Sequence, residues 1–168
     1  MSEVEWMDRL TASWARSVPE LDVAALVPMA RLARISLLLG AFQEEQLARF
    51  AIAPADYSVL AALRRSGSPY ELSPSELYNV LECSSGGMTK MLKRLETRGL
   101  VERAPDPADG RGSRVSLTPE GRRFERAVFE ALLEATQSLL APLPAARLKE
   151  LDRALEQLLG CFEQHFYR

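Results

Sequence analysis

Between residues 84 and 118 the chain carries seven basic side chains, Lys90, Lys93, Arg94, Arg98, Arg103, Arg111 and Arg114, against four acidic ones. The full chain of 168 residues has a net charge of −2. Positive charge is thus gathered into one short central segment of an acidic protein, which is what local contact with phosphate groups requires. Other chemistry is poorly supplied. The two cysteines, Cys83 and Cys161, have no zinc-like spacing, and the one histidine, His165, lies near the end. That composition speaks against His-based triads and metal sites. Gly86-Gly87 with Lys90 lacks the spacing of a phosphate-binding loop. No nucleophile–base pair stands out, so neither an enzyme nor a metal or cofactor is expected.

The elements that must position the basic residues follow from periodicity and punctuation. Residues 3–17 carry Trp6, Leu10 and Trp14 at helical spacing, up to Pro19. From Leu21 to Phe50 a long apolar-periodic stretch fits a helix face, with Pro28 marking a kink or a fresh start. Pro54 opens the next helix, with Tyr57, Val59, Leu60 and Leu63 turned inward. Ser73-Pro74-Ser75-Glu76 has the form of a capping box with proline at the first helical position. The short helix that it opens carries Leu77, Val80 and Leu81. A second helix runs from about Ser85 to Arg98, with Met88, Met91, Leu92 and Leu95 as its buried stripe. Gly99 stops it in the left-handed region that favours glycine. Residues 100–103 and 114–117 read as antiparallel strands around a polar tip, 104–113. Thr118-Pro119-Glu120 starts a further helix to Pro142. Pro144 starts the last one, with Leu148, Leu151, Leu155, Leu158, Leu159 and Phe162 on one face.

Two short helices joined by a tight turn, the second basic, followed by a projecting hairpin, describe a winged helix-turn-helix. A helix of this size fits the major groove of DNA, where base edges are distinguishable, and a thin hairpin with an arginine at its tip fits the minor groove. The fold class is therefore mainly α with a small β-wing. A winged DNA-binding lobe over residues 53–118 is expected. Helical regions over residues 21–52 and 119–168 flank it, with residues 1–20 as an N-terminal extension. The apolar face of residues 21–50 is broader than one small domain covers, which suggests a partner chain.

The stretch Leu95-Glu96-Thr97-Arg98-Gly99-Leu100-Val101-Glu102-Arg103, then Asp106-Pro107-Ala108-Asp109-Gly110-Arg111, then Val115-Ser116-Leu117-Thr118-Pro119-Glu120-Gly121 resembles the wing signature of the MarR family of bacterial regulators. The resemblance runs from about Leu21 to Phe162. It implies a homodimer, with residues 21–52 and 119–168 as the helical dimerisation region that uses the apolar faces of 21–50 and 144–162. The dimer would bind an imperfect palindrome of double-stranded DNA as a transcriptional regulator, a repressor released by a small ligand. By position, Asp109 would orient Arg111 for minor-groove entry. Ser84, Ser85, Gly86, Gly87, Thr89 and Lys90 would begin the recognition helix, while Lys93 and Arg94 would touch phosphate. Arg114 joins this basic DNA-binding set. Gly86 and Gly87 replace residues that relatives carry as hydroxyl side chains or proline, and Gly110 stands where relatives often have arginine. These departures motivate an alternative, a helical interaction module whose winged helix no longer binds DNA.

The N-terminal extension and Ser84-Ser85-Gly86-Gly87-Met88-Thr89-Lys90 are also similar to the family's urate-responsive branch. That branch has an acidic residue where Ser58 aligns and an arginine where Met91 aligns. The altered positions imply a more apolar or aromatic effector, in a pocket near Trp14, Leu38, Phe42, Tyr57, Ser58 and Met91. Cys83 is expected to be buried and inert. No apolar run reaches the roughly 18 residues of a membrane span, residues 35–42 coming closest. Glu3, Glu5 and Asp8 have the wrong charge for a signal peptide, so a cytoplasmic protein with no membrane role is expected.

Overall fold

The computed structural model describes residue 9 and residues 12–81, 84–106 and 112–167. Trp6, Leu10, Cys83, Asp109, Gly110 and Arg111 lie outside the described residues. The elements are α1 (residues 12–17), α2 (Leu26–Ala48), α3 (Pro54–Arg65), β1 (Glu71–Leu72), α4 (Pro74–Leu81) and α5 (Ser85–Thr97). They continue as β2 (Val101–Pro105), β3 (Ser113–Leu117), α6 (Pro119–Leu140) and α7 (Ala145–Phe166). The chain divides into two compact units, residues 1–125 and 126–168.

Proline and glycine punctuate the chain as their backbone chemistry dictates. Pro28 sits in the first turn of α2, where a missing N–H costs no helical bond, so it marks a fresh start. Pro54 opens α3. Gly99 follows α5 at φ +67, the left-handed conformation that ends the helix. The capping box forms in full: the Ser73 N–H donates to Glu76 Oε2 at 2.6 Å, and the Glu76 N–H donates to Ser73 Oγ at 3.2 Å.

The first unit has a core drawn chiefly from α3, α4, α5 and the β2–β3 hairpin. Val59, Leu60 and Leu63 of α3, Leu77 of α4, Leu92 and Leu95 of α5, and Val115 of β3 are fully buried. Met88 and Met91 close the α5 stripe. On α4 only Leu77 is buried, and Val80 is exposed, because eight residues give little more than two turns and one inward row.

The sheet has three strands in the order β1-β3-β2, all pairs antiparallel. β3 is central. It pairs with β2 from Val101↔Leu117 to Pro105↔Ser113, and with β1 at Glu71↔Ser116 and Leu72↔Val115. The hairpin therefore reaches further toward its tip than the apolar pattern shows, and β1 is an addition.

Asp56 and Glu125 are the charged residues buried among the described residues, and Glu125 is the more deeply buried. It lies in α6, is buried, and has Arg64 Nε 3.5 Å from its carboxylate. Burial pushes its carboxyl above the usual value, while Arg64 and Arg65 pull the other way. Since the folded-state value exceeds the unfolded one, the native protein holds a proton that the unfolded chain has released. Stability then falls as pH rises from 4.5 through the raised value. Thermal melts of wild type and Glu125→Gln should therefore diverge with rising pH, with wild type losing ground to the variant. Parallel melting curves would show that Glu125 does not titrate there.

Outside this core much apolar surface is uncovered. Leu47 is the one buried residue of α2, while Ile35, Leu37, Leu38 and Leu39 are exposed. No residue of α7 is buried, and Leu151, Leu155 and Leu159 are exposed along it. α2 is also long and apolar enough to cross a membrane by length and composition, with a window of mean hydropathy 1.2. A search for an unbroken apolar run misses this helix because Arg31 and Arg34 interrupt it.

Candidate nucleic-acid interface

α5 is amphipathic in the sense that a groove-binding helix needs. Its inward stripe is apolar, and Ser85, Gly86, Thr89, Lys90 and Lys93 lie on the exposed side. Ser84 is the N-cap: its backbone is extended and its Oγ accepts the Gly87 N–H at 3.1 Å. A Cβ on Gly87 would stand 3.1 Å from that same Oγ, so the cap and the glycine fit together. A Cβ on Gly86 would meet nothing within 4 Å. The Thr89 hydroxyl donates to the Ser85 carbonyl at 3.0 Å, which leaves its lone pairs and methyl facing outward. Among the described residues, Lys90 and Lys93 make no ion pair.

The C-terminal half of α5 is held by polar ties to three other places in the fold. Arg94 forks onto Asp56 of α3, Nε to Oδ2 at 2.8 Å and Nη2 to Oδ1 at 2.5 Å. Asp56 is buried, whereas half of the Arg94 side chain is exposed. The hydrogen bonds that Arg94 donates to Asp56 raise its pKa further, which leaves it a permanent cation. Arg98 donates to the Ala51 and Phe50 carbonyls, and Glu96 pairs with Arg103 of β2 at 2.8 Å. An open cleft of about 560 Å³ lies along this half, lined by Ala51, Asp56, Lys90, Lys93, Arg94, Thr97 and Arg98.

Two basic residues are engaged differently from the phosphate contacts expected of them. Two of the Arg94 donor nitrogens are spent on Asp56. Arg114 of β3 lies between two carboxylates, 3.4 Å from Glu71 and 3.0 Å from Glu76. It ties the tip-side end of β3 to the first turn of α4, and the same Glu76 oxygen closes the capping box. Backbone and side-chain hydrogen bonds with Ser73, and then Arg114, hold the Glu76 carboxyl below its usual value. Asp56, Glu71 and Arg98 went unnoticed as parts of this site. An acidic residue in the first turn of α3 signals only a helix-dipole contact until its distant arginine is known.

The six residues expected near an effector are scattered by environment. Trp14 and Leu38 are about half exposed, Phe42 is partly buried, and Met91 faces the core. The Ser58 hydroxyl donates to the Pro54 carbonyl at 3.0 Å. Tyr57 is pushed up to about 12, first by burial and then by the charge of Glu125, so it remains a phenol at neutral pH. None of the six lines the open cleft beside α5.

Residues 52–112 match the sequence profile of the MarR family. The chain is 31% identical to the HTH-type transcriptional regulator PecS of Dickeya dadantii, over 93% of this chain and 92% of that protein. A crystal structure of a cysteine-to-serine mutant of MarR from E. coli, complexed with operator DNA, superposes with a TM-score of 0.67 at 30% identity. It covers 83% of this chain and 99% of that one. AbsC of Streptomyces coelicolor, a MarR family transcriptional regulator, superposes with a TM-score of 0.73 at 23% identity, over 86% of this chain and 97% of its own, a likeness of fold.

Proposed function

Because this chain belongs to the MarR family and is a DNA-binding transcriptional regulator, we propose that it acts as a homodimeric repressor on an imperfect palindrome. The observation that carries this reading is the division of α5. Its C-terminal half is tied into the fold, while its N-terminal half presents Ser85, Gly86, Thr89 and Lys90 with no side-chain bond to another element among the described residues. Ser84 and Gly87 shape the helix start that enters the major groove. Lys93 reaches phosphate from the cleft, and Arg111, oriented by Asp109, enters the minor groove. The Ser84 cap gives Gly87 a structural reason, which removes one of the departures that motivate the alternative role as an interaction module.

A second copy of the chain covers the exposed apolar residues of α2 and α7 in this reading, which places the protein in the cytoplasm on DNA. The repressor is released by a small, aromatic ligand held near Trp14, Leu38, Phe42, Tyr57, Ser58 and Met91. Tyr57 keeps its proton to about 12 and so offers a donor at neutral pH, whereas the Ser58 hydrogen is already engaged. A ligand with an apolar ring and a hydrogen-bond acceptor suits such a site.

Fluorescence anisotropy on a duplex obtained by selection from random sequence tests the DNA reading. Arg111→Ala should weaken specific binding by about tenfold, the cost of one good base-level contact, and binding should fall steeply with salt. Equal affinity for selected and scrambled duplexes, unaffected by Arg111→Ala, would overturn it and favour the interaction module.

A further inference from the structure

Arg98 is the residue at which three helices meet. It is the C-cap of α5, and its side chain leaves the helix end for the turn that follows α2. Nη1 donates to the Ala51 carbonyl at 2.9 Å and Nη2 to the Phe50 carbonyl at 3.4 Å. Carbonyls just past a helix end lack intrahelical partners and carry the negative end of its dipole, so a forked cation suits them. The turn is itself strained, since Ala51 has φ +50, a left-handed conformation that a residue with a Cβ seldom adopts. The Arg98 guanidinium also lies 5.0 Å from the centre of the Phe124 ring of α6. That ring meets Phe50 edge-on at 6.2 Å. The ends of α2 and α5 and the start of α6 thus share one guanidinium.

We infer that Arg98 is a positioning residue that sets the angle at which the recognition helix leaves α2, and through it the half-site spacing that the dimer reads. The inference rests on the dimeric, palindrome-reading function proposed above. α5 is otherwise seated by the apolar side chains Met88, Met91, Leu92 and Leu95, which resist separation but not rotation. Two of these are methionines, the most adaptable of core residues. The Asp56–Arg94 fork ties the helix to α3 and the Glu96–Arg103 pair ties it to β2, while Arg98, one turn beyond Arg94, ties it to the turn after α2 and to the ring of α6. Of these ties Arg98 is the one that reaches α2, so its loss lets the helix pivot relative to α2 while the others hold it within the lobe. In a two-fold dimer a small pivot at each α5 changes the distance between recognition helices, and DNA half-sites admit only spacings near a whole helical turn. Lysine cannot replace the arginine fully, because a point-like ammonium can neither fork onto two carbonyls nor stack as a plane on the ring.

The test uses the full chain and a selected palindromic duplex, with duplexes in which the half-sites are moved apart or together by one and by two base pairs. Wild type, Arg98→Lys, Arg98→Gln and Phe124→Leu are compared, with melting temperatures as a control for folding. Arg98→Gln should lose about tenfold on the best spacing, comparable to one mismatched base pair, while losing little on the shifted duplexes. Arg98→Lys and Phe124→Leu should fall between it and wild type. Binding to non-specific DNA and the slope of affinity against salt should stay as in wild type, since no phosphate contact is removed. A uniform loss on all duplexes with a shallower salt slope would make Arg98 a phosphate ligand and overturn the inference. So would folded variants that keep the wild-type preference among spacings. A wild type with no preferred spacing would instead overturn the dimeric reading itself, and the assigned role with it.

Discussion

Replacing Gly121 by alanine should destabilise the protein by about 2–4 kcal/mol, the range of forced overpacking against atoms that cannot move aside. A Cβ at this position would stand 1.9 Å from the Leu100 carbonyl oxygen and 2.9 Å from its carbon. Both are backbone atoms, so no side-chain rotation relieves the overlap. The Leu100 carbonyl is itself held, accepting the Thr118 N–H at 3.2 Å. Thr118 in turn caps α6 by accepting the Gly121 N–H at 2.9 Å, and it donates to the Gly99 carbonyl at 2.7 Å. Moving α6 outward to admit a methyl group would strain this whole crossing. Urea unfolding of Gly121→Ala beside Gly86→Ala isolates the effect, because a Cβ on Gly86 meets nothing and alanine favours a helix by about 1 kcal/mol. Similar losses in both variants would mean that helix start chemistry, not the Leu100 crossing, governs both positions.

That crossing explains why a signature that resembles a DNA-binding family contains residues engaged in holding the fold together. In Thr118-Pro119-Glu120-Gly121 the threonine is a cap, the proline the first helical residue, and the glycine a point of close backbone approach. Features of this kind are legible in sequence because cause and effect lie within a few residues. The Ser73–Glu76 box, the Gly99 stop and the α5 stripe of Met88, Met91, Leu92 and Leu95 are of the same class. β1 escaped because two residues have no periodicity of their own. Glu71 and Leu72 become a strand only by pairing with Ser116 and Val115, more than forty positions later. β2 runs on to Pro105 because it is an edge strand, where a proline facing away from the ladder costs no bond. Charge was legible as a total but not as an allocation. Nothing local distinguishes Lys93, which makes no ion pair among the described residues, from Arg94, engaged by an aspartate 38 positions away, or from Arg114, engaged by two glutamates.

The allocation at Arg94 has an asymmetric energetic consequence. Asp56 is buried, with its side chain 8% exposed, whereas that of Arg94 is 52% exposed. Arg94→Ala should therefore leave a carboxylate in the protein interior without its cation, at a cost of about 3 kcal/mol, typical of an orphaned buried charge. Asp56→Ala leaves a guanidinium that can turn into water, and should cost roughly 1 kcal/mol, close to the net worth of a hydrogen bond. The ordering, more than either magnitude, is the expected result. The double variant should recover part of the Arg94→Ala loss, since removing the carboxylate removes the buried charge that the single change exposed. Denaturant midpoints of the four proteins, measured with equal slopes, provide the comparison. If Asp56→Ala were the costlier single change, the carboxylate would act mainly on the first turn of α3, whose N–H groups it faces from the third helical position. In that case Arg94 would be replaceable without orphaning a charge, and its guanidinium would be free to serve the phosphate backbone, the role proposed for Lys93.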